Sequence, residues 1–469
     1  KLGIMNIKTI LLASLMGLGF IACSDDSTPE AEKQEGTLTY VNLLVNLPGK
    51  ATGRTLPNDY NNDGTYEGLD SLQTLDVYME SADGAIEAKR FTGEDISHAG
   101  TVVSPSQPFR TTSGYKTIYI VINNPNPLGT VITTEHDLIT TENLAQVVNA
   151  NGKEYDLIAM TGKSANVYIE PDVPIQDVAN GANKIKVNVD RVASRVIVTT
   201  TASADLTNDQ GEKIGSVSDV NFSVAQGTNK IYWISQTNNL SYGSEYVPAL
   251  GEYIGQADTY YDYSGLSVKN AIPTKPVDGD GYKALKGQFL FENTHEEGDL
   301  ERTKYRKGNT AYILVRAKFT PDPSAIADGG SLTGGTFYVG GTDGKIYSSK
   351  QAAQTAVQNQ KVTTYVGGKM INYAWLNPDD LVKPLNSPVL RNHIYHINIT
   401  GFKRLSYNWN PLYPEDPNTI NPQNPDPKPG PDEPEIPIDP VDPLTPEETN
   451  MSVEVSILDW TVHSYDVEF

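Results

Sequence analysis

Few residues in this chain are spaced for chemistry. The run Asp59-Tyr60-Asn61-Asn62-Asp63-Gly64-Thr65-Tyr66-Glu67-Gly68-Leu69-Asp70 sets Asp59, Asn61, Asp63, Glu67 and Asp70 at relative positions 1, 3, 5, 9 and 12, with Gly64 at 6. That is the oxygen spacing of a calcium loop, in which a tight turn converges several ligands on one hard cation. Its flanks read as strand and loop rather than helices, and Asp70 is a shorter bidentate ligand than Glu. The same residues make an ordinary solvated turn, so the leading expectation is no metal. His393 and His396 suggest a metal pair at first sight. Residues three apart on a strand face opposite sides, so they do not share an ion. The single cysteine, Cys23, excludes an internal disulfide and a thiolate zinc site. No Gly-x-Ser-x-Gly elbow, phosphate loop or dinucleotide-binding glycine pattern occurs. Neither an enzymatic activity nor a cofactor is expected.

Cys23 needs another explanation. It ends the run Lys8-Thr9-Ile10-Leu11-Leu12-Ala13-Ser14-Leu15-Met16-Gly17-Leu18-Gly19-Phe20-Ile21-Ala22. A basic start and an apolar stretch of this length read as a secretory signal, too short for a membrane span. Translation is expected to start at Met5. A small residue just before Cys resembles a bacterial lipobox, in which the thiol is acylated and Cys23 becomes the mature N-terminus. Ser24-Asp25-Asp26 resembles the surface-export signal of Bacteroidetes lipoproteins. Residues 1–23 are thus read as signal peptide and lipobox, and 24–35 as an acidic tether. An acyl-glyceryl cysteine carrying several chains holds an outer membrane durably until the protein is cut from it.

The elements that follow are strands. Thr39, Val41, Leu43, Val45 and Leu47 alternate on one face, as do Ala311, Ile313, Val315, Ala317 and Phe319. Further strands are expected over 75–79, 117–123, 184–189, 195–200, 219–225 and 393–400. Residues 141–150 read as the best short helix. Tyrosine is frequent (26, against 10 Phe), which suits half-buried sheet faces. This many strands points to an all-β chain of β-sandwiches. A length of 469 residues suggests two or three domains, with a boundary near residue 190. The net charge of −22 removes the basic face a nucleic-acid partner requires.

Residues 411–450 hold thirteen of the thirty prolines. Proline lacks the N–H a sheet interior needs, so this segment is expected to be an extended strap. At ~3.1 Å per residue it could reach on the order of 120 Å. Beyond it, Met451, Val453, Val455 and Ile457 alternate with polar residues; Trp460 and Val462 share one parity, and Tyr465, Val467 and Phe469 the other. An apolar strand on a long strap must pair with some sheet edge, and the strap lets that edge lie on another molecule.

Several stretches resemble the shaft fimbrillin of the short (Mfa-type) fimbriae of Porphyromonas and its Bacteroides and Parabacteroides relatives. They are Tyr260-Tyr261-Asp262-Tyr263-Ser264-Gly265-Leu266, the strand-bearing run 306–321, Tyr373-Ala374-Trp375-Leu376-Asn377-Pro378, the run 386–396, Asn408-Trp409-Asn410-Pro411-Leu412 and the terminal 451–469. The match is dense from about residue 186 onward and looser before it. The resemblance implies two transthyretin-like β-sandwich domains, here 55–189 and 190–410, followed by the Pro-rich strap 411–450 and a C-terminal donor strand, 451–469. It also implies a lipoprotein precursor activated by a trypsin-like protease. Cleavage would release residues 36–54, which carry the first strand, and the groove would accept a strand from another copy. The basic loop Pro48-Gly49-Lys50-Ala51-Thr52-Gly53-Arg54-Thr55 offers Arg54 as the cleavage site, with Lys50 as the alternative because the context of Arg54 departs from the family's. The donor residues would be Val453, Val455 and Ile457, or Trp460, Val462, Tyr465, Val467 and Phe469. Implied partners are further copies of the chain and accessory tip and anchor subunits, in a surface fimbria that supports adhesion and biofilm formation. The competing reading is a fimbrial tip or glycan-binding adhesin lipoprotein.

Overall fold

A computed structural model describes residues 35–48, 65–67, 70–128, 138–150, 152–235, 261–262, 269–277, 285, 287–296, 299, 301, 303–378, 385–409, 441–444 and 451–461. Its described part is mostly β, in several sheets. The first sheet runs in the order Lys184–Asn188, Leu38–Asn46, Val102–Pro105, Ile96–Ala99, with Phe109–Thr112 also paired to Leu38–Asn46. The second, wholly antiparallel, runs Asp190–Arg191, Met160–Ile169, Gly114–Ile122, Thr74–Ser81, Ile86–Thr92. Alternate apolar residues from both sheets meet in one core. Val41, Leu43 and Val45 face Leu75, Val77, Ile118 and Ile120, all at most 1% exposed. The period-2 pattern read in the sequence is the inner face of these strands.

A second pair of sheets follows. One runs Thr65–Glu67, Met451–Thr461, His393–Phe402, Ala193–Thr200, Gln288–Phe291; the other runs Asp205–Thr207, Lys213–Ala225, Tyr312–Pro321, Lys369–Trp375. Val196, Val198, Phe222, Ile313, Val315, Ile397 and Ile399 close the core between them. The strand Tyr312–Pro321 is buried on both faces from Tyr312 to Ala317. Tyr312 and Leu314 lie beneath Tyr305, Tyr373, Trp375, Leu385 and Leu444. A small sheet, Ile346–Tyr347, Phe337–Gly340 and Val362–Tyr365, with the helix Lys350–Ala356, interrupts the chain between Tyr312–Pro321 and Lys369–Trp375.

Between residues 184 and 200 the chain passes from the first sheet, by the edge of the second, into the third. Buried charges gather at this crossing. Arg191 donates to both carboxylate oxygens of Asp70, and neither side chain is exposed. Arg195 pairs with Asp156 and lies 4.7 Å over the Phe289 ring. Arg391 binds Glu292 at 2.6 Å and the carbonyls of Tyr232 and Trp233. Burial pushes the Asp156 carboxyl up against the pull of Arg195. Removing one member of such a pair strands its partner's charge, so these contacts fix a single geometry more than they add net stability.

The segment 141–150 is not a helix. Ala145–Ala150 is a strand paired in a hairpin with Lys153–Ile158, Ala150 lying opposite Lys153. The two residues between are Asn151 and Gly152, and Gly152 has φ 78°. Asn-Gly is a favoured sequence for a two-residue hairpin connection, since both residues tolerate positive φ. That local signal, with β-branched Val147-Val148, outweighs the helical spacing.

Candidate functional site

The first strand, Leu38–Asn46, is an interior strand of its sheet. One edge pairs in parallel with Lys184–Asn188. The other pairs antiparallel with Phe109–Thr112 and then with Val102–Pro105. Thr39, Val41, Leu43, Val45 and Leu47 all point inward and are at most 5% exposed. Burying the four aliphatic side chains contributes on the order of 10 kcal/mol gross, an upper figure because unfolded chains already hide part of that surface. Without this strand, two edges would lose their hydrogen bonds and Ile185, Val187, Val103 and Phe109 would line an open slot.

Polar contacts fix the strand's register at its start. Thr39 Oγ1 accepts hydrogen bonds from the Val173 N–H at 3.0 Å and from Asn183 Nδ2 at 3.1 Å. Asn183 Nδ2 also donates to the Tyr40 and Glu170 carbonyls, and its Oδ1 accepts from the Glu170 N–H. Asn183 stands at φ 46°, a left-handed conformation that asparagine tolerates. Upstream, the Thr37 N–H donates to Ser113 Oγ at 3.0 Å and the Ser113 N–H returns a bond to the Thr37 carbonyl.

The terminal strand, Met451–Thr461, pairs antiparallel with His393–Phe402 of the same chain and in parallel with Thr65–Glu67. Met451 is buried, and Val453 and Val455 pack against the second core. The strap is tied down before it. Leu444 is 1% exposed and bridges Leu385, the Lys307 N–H donates to the Asp442 carbonyl, and Lys307 Nζ lies 3.7 Å from the Asp442 carboxylate. The strap is therefore not a free tether along its whole length.

The fimbrillin C-terminal family, the major fimbrial subunit protein type IV, matches residues 363–466, a region that contains the His393–Phe402 strand and its terminal partner. Two minor fimbrium subunits Mfa1 of Porphyromonas gingivalis are each 32% identical to this chain, covering 98% of it and 99% of their own length. This chain belongs to the Mfa1-type minor fimbrium subunit family. Among solved structures, a putative cell adhesion protein of Parabacteroides distasonis has a TM-score of 0.44 at 14% identity, covering 93% of this chain and 99% of its own. The FimA fimbrillin of P. gingivalis has a TM-score of 0.41 at 12% identity, covering 91% and 99%. Members of the Mfa1-type family are structural, non-enzymatic subunits of fimbriae at the cell surface, which implies a polymer with other fimbrial subunits.

In this fimbrial subunit few of the remaining sequence candidates fall among the described residues. Asp70, read as the last calcium ligand, is committed to Arg191. Asp59, Asn61 and Asp63, and the side chain of Glu67, lie outside the described residues, as do Cys23, Lys50 and Arg54. So do the side chains of Ile457 and Trp460, and the whole of Val462, Tyr465, Val467 and Phe469. Among the described residues no group of three or more His, Cys, Asp or Glu could hold a metal ion. His393 and His396 point apart: Nδ1 of His393 is 2.7 Å from the Arg391 carbonyl, and Nε2 of His396 is 2.7 Å from Thr199 Oγ1. Sequence reasoning missed Asn183, Val173 and Ser113, the residues that hold the first strand in register.

The subunit also carries a buried histidine near the strap's anchor. Desolvation lowers His295 from 6.5 to about 4, although its ring bonds the Asn309 carbonyl at 2.8 Å. Its ring also packs edge-on against Tyr305, which shares a cluster with Leu444. The imidazole is neutral in the fold, whereas the unfolded chain takes up a proton below about 6.5. Its contribution is therefore complete above pH 6.5 and is lost as the pH falls from there towards 4. Between pH 7 and 4.5 this amounts to roughly 2–3 kcal/mol. Urea midpoints at both pH values should show that loss, and His295→Gln should reduce it by a similar amount. An identical pH dependence in the variant would contradict the assignment.

Proposed function

We propose that this chain is the shaft subunit of its fimbria and polymerises by strand exchange. It leaves the cell as a lipoprotein acylated at Cys23. A trypsin-like protease then cuts after Arg54, or after Lys50, and frees residues 36–54 together with the lipid. The vacated groove takes up the C-terminal strand of another copy, and accessory tip and anchor subunits complete a fibre that supports adhesion and biofilm formation. In this reading residues 55–189 and 190–410 are two transthyretin-like sandwich domains, 411–450 is the strap and 451–469 the donor.

The observation that carries the reading is the position of Leu38–Asn46. An inner strand of a core, paired on both edges, is followed in the sequence by a segment holding two basic residues, Lys50 and Arg54. A strand so placed cannot be shed without leaving a slot of its own shape. While it is tethered, its effective concentration at the groove excludes any competitor. Once cut, it is an ordinary peptide that can be diluted away. Strand addition then restores both ladders and the alternate pockets. The terminal strand's pairing with His393–Phe402 is the resting position from which it is donated.

The test is genetic. A strain lacking this chain should show no short fibres by electron microscopy of its surface, and the wild-type gene should restore them. Cys23→Ala should restore neither fibres nor acyl labelling. Normal fibres from the Cys23→Ala strain would contradict the lipoprotein route, and normal fibres in the deletion strain would contradict the shaft assignment.

A further inference from the structure

The groove around the first strand is not uniformly apolar, and its one polar slot selects what can replace that strand. Thr39, 2% exposed, satisfies the Val173 N–H and the Asn183 amide at once. The next four inward positions are Val41, Leu43, Val45 and Leu47. A replacement must therefore read hydroxyl, apolar, apolar, apolar, apolar at every second residue. An aliphatic residue in the first slot would take the acceptor away from the half-buried Val173 N–H and remove one of the acceptors of the Asn183 amide.

From this we infer, within the strand-exchange reading above, that the segment Thr449–Ile457 of a second copy fills the groove in the same chain direction as the first strand, Thr449 taking the place of Thr39. Met451, Val453, Val455 and Ile457 then occupy the slots of Val41, Leu43, Val45 and Leu47. The two sets contain the same number of side-chain heavy atoms, and volume-conserving exchanges are the ones a packed core tolerates best. Other windows in the tail fit worse. Starting at Thr461 puts His463 and Tyr465 in the Val41 and Leu43 slots; starting at Ser456 puts Trp460 in the Leu43 slot and Ser464 in the Leu47 slot. Running Thr449–Ile457 the other way would set Ile457 against the two donors. The segment Trp460–Phe469 is thus not the primary occupant.

The same side chains already have a use within the subunit. Met451, Val453 and Val455 pack against the second core when the terminal strand lies on His393–Phe402. One apolar face serves both positions, so resting and donated states exclude each other.

The register makes a pairing that no other arrangement makes. Asn46 lies opposite Asn188 in the parallel ladder, and their side chains hydrogen-bond at 2.8 Å. In the fibre Ser456 takes the place of Asn46, whereas in the resting state it lies opposite His396. Fibres from a subunit carrying Ser456→Cys and Asn188→Cys should yield a disulfide-linked ladder on a non-reducing gel. Glu454→Cys or Leu458→Cys, each combined with Asn188→Cys, reports a two-residue slip and should yield none. A ladder from a slipped pair, or fibres of the Ser456/Asn188 pair without one, overturns the register while leaving strand exchange standing. If the cysteine pairs do not assemble, Thr449→Val decides the matter. It should slow assembly of processed subunits about tenfold, leave the unprocessed precursor's stability unchanged, and be rescued by Thr449→Ser. Assembly of Thr449→Val at the wild-type rate overturns the proposal. Strand exchange itself fails if subunits lacking 451–469 still form fibres.

Discussion

A precursor carrying Lys50→Ala and Arg54→Ala is expected to reach the cell surface and to form no fibres. The two substitutions lie in the segment that follows the first strand and remove the basic residues at which the strand-exchange proposal places the cut. They leave the inward residues Thr39 to Leu47 untouched, so folding and export should be normal. The intact strand stays in its slot for two reasons. Its burial contributes on the order of 10 kcal/mol gross, and as part of the same chain it re-enters far faster than a second molecule can arrive. A donor from another subunit would have to displace it at micromolar concentrations against a tethered competitor. Each single substitution should separate the sites: Arg54→Ala alone should abolish assembly if that residue is the one cut, and Lys50→Ala alone should do so if it is. Fibre mass on the surface, measured by electron microscopy and immunoblotting, is the readout. Wild-type fibre levels from the double variant would contradict activation at this loop.

The second large effect concerns the terminal strand. Subunits lacking Met451–Phe469 are expected to be processed but unable to extend a fibre. Because they keep the groove, they should still accept a donor, and then stop growth. Mixed at a substoichiometric ratio with processed wild-type subunits, they should shorten fibres in proportion to their share. The structure adds a penalty that the tail's alternation alone did not reveal. Removing this strand also strips the edge of the sheet containing His393–Phe402 and uncovers Ile397 and Ile399, so the shortened subunit should unfold at lower denaturant. Replacing Val453, Val455 and Ile457 together with Asp should act the same way, since charge would enter the groove and, at Val453 and Val455, the second core as well. Fibres of normal length from tail-less subunits alone would show that the tail is not the donor.

Much of this was legible because a strand with one buried face writes that face into every second residue. The inward residues of Leu38–Asn46 and of Tyr312–Pro321 could be named from alternation alone, and the structure buries them. What could not be read is what connects distant segments. Asp70 sits in a row of oxygen residues that looks like a calcium loop, but its partner Arg191 is 121 residues away and nothing local announces it. Asn183 is one asparagine among many until its amide is seen reaching Thr39. The strap's proline content pointed to an extended strap, and nothing in it marks Asp442 and Leu444 as the residues that dock against Lys307 and Leu385. The alternation of the tail required a sheet edge without saying which. The hairpin at 145–158 is different in kind: the Asn-Gly pair between its strands and the β-branched Val147-Val148 are both present in the sequence, and together they outweigh the helical spacing of the apolar residues.

The central claim is that the first strand is absent from the assembled fibre. It is tested most directly by intact-mass and N-terminal analysis of subunits dissociated from purified fibres. The account predicts chains that begin at Thr55, or at Ala51 if Lys50 is the residue cut, with residues 24–54 missing and no acyl group. Fibre subunits that retain residues 24–54 would contradict it, because the slot the donor needs would still be full.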